Sequence, residues 1–272
     1  MTASRSSSQR FPLRLERLDG AKQGAAASRP VLRPQAPLQQ AAADARRRDV
    51  PSGLGLDSAA VRQRMVARLQ AGGVHHEALL DAFATVPRHL FVDGALVNQA
   101  YEDTSLPIGH GQTISKPSVV ARMIELLAQG RSALEAGTLG RVLEIGSGCG
   151  YQAAVLARLA RQVHSIERMR PLHDKARTHL ALLRETRVRL LYGDGMFGHP
   201  GGAPFDSIIA AAGGDAVPQA WLDQMGPGAR LVAPVRSPGG EQALVVVDRT
   251  DNGYQRSIHE SVHFVPLKAG LG

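Results

Sequence analysis

The chain has little of several residue types, and each shortage excludes something. Cys149 is its single cysteine, so an internal disulfide is impossible, which suits the reducing cytoplasm that we expect for this protein. Apolar runs stay well short of the roughly 18–20 residues of a membrane-spanning helix, so we expect no membrane contact. Ten histidines are present, but they show no spacing typical of metal ligands, and we predict no metal.

Aromatic residues are also scarce, at 4% of the chain. The formal net charge is +8, and residues 1–56 hold ten Lys or Arg and four acids, so most of the excess lies in that segment. The remainder of the chain is nearly neutral and has no basic patch interleaved with aromatic residues. We therefore expect no nucleic-acid partner.

The first segment differs in composition from everything after it. Residues 1–56 are rich in Ser, Ala, Gln, Arg and Pro and show no sustained period, which predicts a disordered basic tail. A solvated extension, an organelle-targeting peptide and a weak tether for anions all remain open for it. Residues 57–272 are predicted to form one domain, with a helical part on the substrate side (57–130) and a ligand-binding core (131–272).

Apolar residues recur at helical spacing through the first part of this domain. One helix is expected from Asp57 or Ser58 to about Gly72, and a second ends before Pro87. A third is expected over about Lys116–Gln129. The stretch Tyr101–Ser115, which is dense in glycine and polar residues, reads as an irregular loop that binds a ligand.

From Arg141 onward, short apolar runs alternate with helical patterns. The predicted strands are 141–145, 162–166, 188–192, 205–211, 229–235, 243–248 and 257–266, with helices at 152–159, 171–184 and 218–225. This alternation predicts an α/β fold with a doubly wound, Rossmann-like parallel sheet.

A glycine-rich loop follows the first strand of that sheet, where ligands of such folds bind. The dinucleotide fingerprint Gly-x-Gly-x-x-Gly requires a glycine at position 151, and Tyr151 stands there. S-adenosylmethionine (SAM) has no phosphate and is compatible with the observed Gly-x-Gly-x-Gly spacing. We therefore predict a SAM site, with these loop residues as contacts: Gly146, Ser147, Gly148 and Gly150.

Three acids stand at three successive strand ends. Glu144 precedes the loop and is expected near the SAM ammonium group, although a role in bracing the loop or facing a helix dipole stays open. Glu167 ends the second strand and is expected to accept the ribose hydroxyls. Asp194, with Gly195 beside it, follows the third strand and is expected near the adenine amino group.

Two residues have competing interpretations. Cys149 is either a nucleophile or a small residue that fills the loop, and the absence of a neighbouring activating base in the sequence favours the second. Ser115 is either the N-cap of the following helix or part of a binding loop, and the two roles are compatible.

Five segments together resemble one family. These are Val86–Val92, Leu106–Ser115, Val142–Gln152, Gly193–Gly195 and Val262–Leu267. Over about residues 57–270 the chain closely resembles the protein-L-isoaspartate O-methyltransferases, and the Gly-Gln-Thr-Ile-Ser run is the most specific match. The resemblance leaves the 1–56 segment uncovered.

The resemblance implies a repair methyltransferase that uses SAM and acts on L-isoaspartyl residues of damaged proteins and peptides. It implies that Ser115 is the catalytic serine beside the substrate carboxylate, with Thr113, Ile114 and Ser115 lining the substrate pocket. It leaves Ser118 and Lys268 unassigned. We expect the enzyme to act as a monomer.

The chemistry agrees with this set of residues, because a carboxylate is ionised at neutral pH and needs no general base. Three alternatives remain open at this point. They are a SAM methyltransferase for a small molecule or RNA, a nicotinamide oxidoreductase, and a SAM-binding protein without catalysis.

Overall fold

A computed structural model describes residues 59–237 and 239–272. The tail predicted over 1–56 and the helix start predicted at Asp57 or Ser58 lie outside these residues. Within the described ranges, no helix combines the length and the apolar character needed to cross a membrane.

The first part of the described chain is mainly helical. Its elements are α1 (Ala59–Ala71), α2 (Glu77–Thr85), β1 (Leu106–Gly109), β2 (Gln112–Ile114), α3 (Pro117–Ala128) and α4 (Arg131–Ala136), with 3-10 helices at Arg88–Phe91 and Gly94–Gln99. The three helices expected from apolar spacing are present. The six-residue helix α4 was not expected.

The stretch expected to be irregular contains an antiparallel hairpin, in which β1 pairs with β2. Its turn needs positive φ angles at three successive residues: Gly109 (95°), His110 (54°) and Gly111 (67°). Glycine adopts such angles at little cost, so the two glycines permit the turn. The expectation of an irregular stretch was wrong over these two strands, because the Gly and Pro residues that favoured a loop are part of a tight hairpin.

Seven strands form the main sheet in the described part of the chain. After β3 (Arg141–Ile145) come α5 (Tyr151–Leu159), β4 (Gln162–Glu167), α6 (Arg170–Leu182), β5 (Val188–Tyr192), β6 (Phe205–Ala210), α7 (Gln219–Asp223), β7 (Met225–Arg236), β8 (Gln242–Thr250) and β9 (Gly253–Val262). The strand order is β5-β4-β3-β6-β7-β8-β9.

The predicted doubly wound α/β fold is confirmed, but the sheet is not parallel throughout. Strands β3 to β7 pair in parallel, whereas β7–β8 and β8–β9 pair antiparallel. Only Asp251 and Asn252 separate β8 from β9, which is too short for the crossover that parallel pairing needs. The last strand also ends at Val262 rather than at Pro266.

Both faces of the sheet are buried. The neighbouring residues Val142 and Leu143 of β3 belong to two different hydrophobic clusters, and so do Leu231 and Val232 of β7. Successive side chains of a strand point to opposite faces, so each cluster covers one face. This burial explains why the strands read as continuous apolar runs.

The N-terminal helices pack onto the same core as the sheet. Phe83 of α2 contacts Tyr151 of α5 edge to face, with ring centroids 6.2 Å apart, and both belong to one cluster. The division into 57–130 and 131–272 stays a prediction, since a shared core joins the two parts.

Strand β3 lies between β4 and β6. From β3 the chain adds β4 and then β5 on one side, and it then crosses to the other side of β3 to add β6. A doubly wound sheet has a crevice at this switch point, beyond the carboxyl ends of its strands. The glycine-rich loop follows β3 and therefore lies at the crevice.

Candidate active site

A cleft opens at this switch point. Its walls come from the β1–β2 hairpin, the loop after β3, the end of β4, residues 211–212 after β6 and the C-terminal segment 265–268. Eight of the predicted site residues line it: Thr113, Ile114, Ser115, Gly146, Ser147, Gly148, Glu167 and Gly195. Glu144, Gly150 and Asp194 do not line it.

The glycine loop is held against β4 by main-chain hydrogen bonds. The N–H groups of Gly146 and Ser147 donate to the carbonyl of Ile166 at 2.9 and 3.2 Å. Gly148 lies under the hairpin, because a Cβ added there would stand 3.3 Å from the Ile108 side chain. The hairpin thus covers the loop, and the cleft lies between them.

Gly150 packs the loop against α6 and does not line the cleft. Its φ is 90°, and an added Cβ would stand 3.2 Å from Ala176 of α6. Tyr151, which replaces the third glycine of a dinucleotide fingerprint, is 1% exposed and packs edge to face on Phe91 at 5.4 Å.

Glu167 faces the cleft from the end of β4. Its Oε2 accepts a hydrogen bond from the Gly148 N–H at 2.9 Å, and its Oε1 accepts one from the Met169 N–H at 2.9 Å. The side chain is largely buried, with the residue 5% exposed. Each carboxylate oxygen can accept more than one hydrogen bond, so capacity remains for two ligand hydroxyls.

Asp194 is engaged on both oxygens. Its Oδ1 accepts from the Met196 N–H at 2.9 Å, which caps the 3-10 helix Gly195–Phe197. Its Oδ2 accepts from the Gly270 N–H at 2.5 Å. An adenine amino group would have to share these oxygens, so the described geometry supports Gly195 as a lining residue more directly than Asp194.

Glu144 lies behind the loop rather than in the cleft. The residue is fully buried, and the Ser165 hydroxyl donates to its Oε2 at 2.5 Å. The hydroxyls of Ser165 and Ser147 are also 2.5 Å apart. Burial raises the pKa of the Glu144 carboxyl to about 8. This placement favours the loop-bracing interpretation over direct contact with an ammonium group.

Cys149 lines the cleft but is only 3% exposed. Burial raises the pKa of its thiol to about 11. A thiol in this state is not an activated nucleophile, which favours the loop-filling interpretation. In the part of the chain that the structure describes, no three His, Cys, Asp or Glu side chains are grouped to hold a metal ion.

Ser115 lies where the cleft meets a second, wider groove. Together with Thr113 it lines both, and the groove continues along Lys116, Val119 and the C-terminal residues 261–266. The N-cap of α3 is Lys116, not Ser115, so the capping interpretation was wrong. Among the described residues, none forms a hydrogen bond with the Ser115 hydroxyl.

Sequence reasoning missed two parts of this site. The C-terminal segment closes one side of the cleft, because the Gly213 N–H donates to the Val265 carbonyl and the Leu267 N–H donates to the Gly213 carbonyl. Arg88 lies behind Ser115 and donates to its carbonyl at 2.9 Å. The segment Val86–Val92 was the available signal for Arg88, since it is one of the matching motifs.

Comparisons with known proteins identify the family. The sequence model of the family described as protein-L-isoaspartate(D-aspartate) O-methyltransferase (PCMT) matches residues 60–272. The chain belongs to this family. The PCMT match covers the hairpin, the glycine loop and the C-terminal segment together.

Named relatives agree with this membership. The protein-L-isoaspartate O-methyltransferase of Methylibium petroleiphilum is 61% identical, over 99% of this chain and 99% of that protein. The enzyme of the same name from Leptothrix cholodnii is 59% identical, over 88% of this chain and 84% of that protein. The family resemblance read from the motifs is thereby confirmed.

Solved structures share the fold. A protein-L-isoaspartate O-methyltransferase matches with a TM-score of 0.69 and 28% identity, over 78% of this chain and 67% of that one. A Plasmodium falciparum PCMT described as putative, in complex with S-adenosyl-L-homocysteine, matches with a TM-score of 0.65 over 76% of this chain and 98% of that one. At 20% identity the second shows the fold alone.

Proposed function

We propose that this chain transfers the methyl group of SAM to the free α-carboxylate of L-isoaspartyl residues in damaged proteins and peptides. Its membership of the PCMT family is the observation that carries this proposal. The cleft supports it, because the glycine loop and the Thr113–Ser115 segment line one space.

The residues of the donor side fit SAM. Glu167 offers a buried carboxylate to the cleft, suited to a ribose diol, and Tyr151 replaces the glycine that a pyrophosphate site needs. Gly146, Ser147, Gly148 and Gly195 provide the surrounding wall, while Glu144 braces the loop from behind. When bound, SAM supplies an electrophilic methyl group on a sulfonium.

On the acceptor side, Ser115 is the proposed catalytic residue, with Thr113 and Ile114 forming the pocket. An α-carboxylate is already ionised, so Ser115 need not accept a proton. A negative nucleophile meets a positive sulfonium, and charge disappears in the transition state. A neutral hydroxyl donor therefore suits the step better than a cationic clamp, and alignment supplies most of the acceleration.

A polypeptide substrate is supported by the groove that adjoins the cleft. It shares Thr113 and Ser115 with the cleft and is bordered on the other side by 261–266. A chain lying in the groove can place one side group at Ser115 while its flanking residues stay outside.

The test supplies labelled SAM with two peptides that differ only in isoaspartate or aspartate at one position. We expect base-labile methyl ester on the isoaspartyl peptide alone. Label on both peptides, or on neither, would overturn the proposed function.

We further propose that the enzyme acts as a monomer in the cytoplasm. The hairpin, the glycine loop and the C-terminal segment of one chain line the cleft together. Sedimentation should give a mass near 28.9 kDa, and a dimer mass that persists on dilution would contradict the monomer.

A further inference from the structure

Arg88 is an unusual charge to find inside the molecule. It begins the 3-10 helix Arg88–Phe91 and is 0% exposed. It forms no ion pair with any carboxylate that the structure describes, and its buried Nη1 has no hydrogen-bond partner there. Burying a charge without a counter-charge is costly, and an apolar side chain fills such a space at lower cost. What a guanidinium adds over an apolar side chain at this place is a set of hydrogen-bond donors.

Its remaining donors meet three carbonyls of one segment. Nε donates to Ala100 at 2.7 Å, and Nη2 donates to Ser115 at 2.9 Å and more weakly to Thr104 at 3.5 Å. Two of these carbonyls stand at the first and last residues of the segment 100–115, and the third lies four residues after its start. One guanidinium thus ties both ends of the segment that carries the β1–β2 hairpin.

The same guanidinium also touches the donor side. Its Cζ lies 4.8 Å from the centre of the Tyr151 ring, and Tyr151 lines the cleft immediately after the glycine loop. Arg88 therefore lies between the two walls of the cleft and contacts both.

We propose that Arg88 is a positioning residue that sets the place of Ser115 relative to the methyl donor. The inference rests on the proposed function. By holding the Ser115 carbonyl, Arg88 fixes the peptide plane between Ser115 and Lys116, and with it the direction in which the Ser115 side chain leaves the backbone. The stack on Tyr151 sets the distance from that peptide to the glycine loop.

Arg88→Lys tests this arrangement, because an ammonium keeps the charge but not the fork of donors that reaches Ala100 and Ser115 together. A displacement of about 1 Å in a methyl-transfer geometry can cost about 100-fold in rate. Because this loss runs through Ser115, we expect kcat to fall by about 3- to 10-fold, no further than in Ser115→Ala, while the Kd for S-adenosyl-L-homocysteine changes by less than threefold. Arg88→Gln, which also removes the buried charge, carries the same expectation if Arg88→Lys does not fold.

Arg230→Lys is the matched control. Arg230 is also largely buried, donates to the Leu126 carbonyl at 2.9 Å and pairs with Asp248 at 2.7 Å, but it lies away from the cleft. We expect this control to lower the melting temperature without lowering kcat. A purely structural Arg88 would behave in the same way, so an unchanged kcat in folded Arg88→Lys or Arg88→Gln would overturn the proposal.

A double mutant shows whether Arg88 acts through Ser115. If it does, Arg88→Lys adds less than threefold to the loss in a Ser115→Ala background, since coupled residues are not additive. Fully multiplicative losses would overturn the coupling. Failure of the wild type to methylate the isoaspartyl peptide is a different result, since it overturns the proposed function and not the geometry of Arg88.

Discussion

The two walls of the cleft are built by different means. On the donor side, main-chain hydrogen bonds hold the glycine loop to β4, an internal strand of the seven-stranded sheet. On the acceptor side, the 100–115 segment lies outside that sheet and depends on side chains, notably Arg88 and Asp103. Main-chain hydrogen bonds persist when most side chains are replaced. A contact made by one side chain is lost when that residue is substituted. The predictions below test this difference, in order of their expected effect on activity.

Glu167→Ala should have the largest effect. Its effect is on ligand binding and not on how the donor wall is held, since the Glu167 carboxylate lines the cleft and is the proposed partner of the ribose. Loss of charge-assisted hydrogen bonds should weaken SAM binding by roughly 1.5–3 kcal/mol. Calorimetry measures this, with Glu135→Ala, an exposed acid on α4, as the control. Unchanged affinity would remove Glu167 from the ribose site.

Ser115→Ala should lower kcat about tenfold through lost alignment of the carboxylate, with little change in SAM affinity. Ser132→Ala is a suitable control, because the Ser132 hydroxyl donates to the Asp206 carbonyl away from the cleft. Single-turnover rates at saturating SAM separate the two. Wild-type turnover in Ser115→Ala would exclude Ser115 from the mechanism.

Asp103→Ala should have a moderate effect that reaches activity through the acceptor wall. The Asp103 carboxylate accepts from the N–H and the hydroxyl of Ser118, each at 2.8 Å, and so caps α3 from a distance. Loss of such a cap should lower the free energy of unfolding by about 0.5–2 kcal/mol and kcat by a few fold. Urea unfolding beside kcat measures both, and an unchanged stability would contradict the capping role.

Glu144→Gln should leave kcat at neutral pH unchanged but alter the pH dependence of stability. The folded carboxyl has a pKa of about 8, whereas an unfolded glutamate has a pKa of about 4.3. Between these values the folded state holds a proton that the unfolded state releases, so this group makes stability fall as pH rises, and the fall ends above pH 8.

Urea unfolding at pH 5, 6, 7 and 8 checks this expectation. Glu144→Gln should gain stability relative to wild type as pH increases across the series. The same stability difference at all four pH values would show that Glu144 is ionised in the folded protein.

His164 acts in the opposite direction at lower pH and must be considered in the same series. It is 2% exposed, and its ring lies 5.3 Å from that of His199. Burial first, and then the charges of His199, Arg141 and Arg189, lower its pKa to about 4. Stability from this group is lost as pH falls from about 6.5 to 4 in wild type and Glu144→Gln alike, so it cancels in the stability difference between the two proteins.

The sequence predicts the donor wall better than the acceptor wall. Parallel strands buried on both faces give continuous apolar runs, so β3, β4 and β6 were found close to their true bounds, and Glu167 followed from the end of β4. The orientation of the Glu144 side chain could not be predicted from the sequence, because alternation along a strand does not say which residue faces the ligand.

On the acceptor side, the role of Arg88 could not be read from the sequence. Its partners are carbonyls of Ala100, Thr104 and Ser115, and a carbonyl carries no residue-specific signal. Only the match of a motif marked this arginine, and the motif does not state what it touches.

The burial of the Cys149 thiol has a consequence for the chemical stability of this enzyme. Oxidants and alkylating reagents react with the thiolate, and a thiol with a pKa of about 11 that is 3% exposed offers almost none of it at neutral pH. An oxygenated sulfur in the glycine loop would put a polar group against the cleft, and burial of the thiol disfavours that reaction. An enzyme whose substrates are damaged proteins thus keeps its own single cysteine in the protonated, buried form that is least prone to oxidation and alkylation.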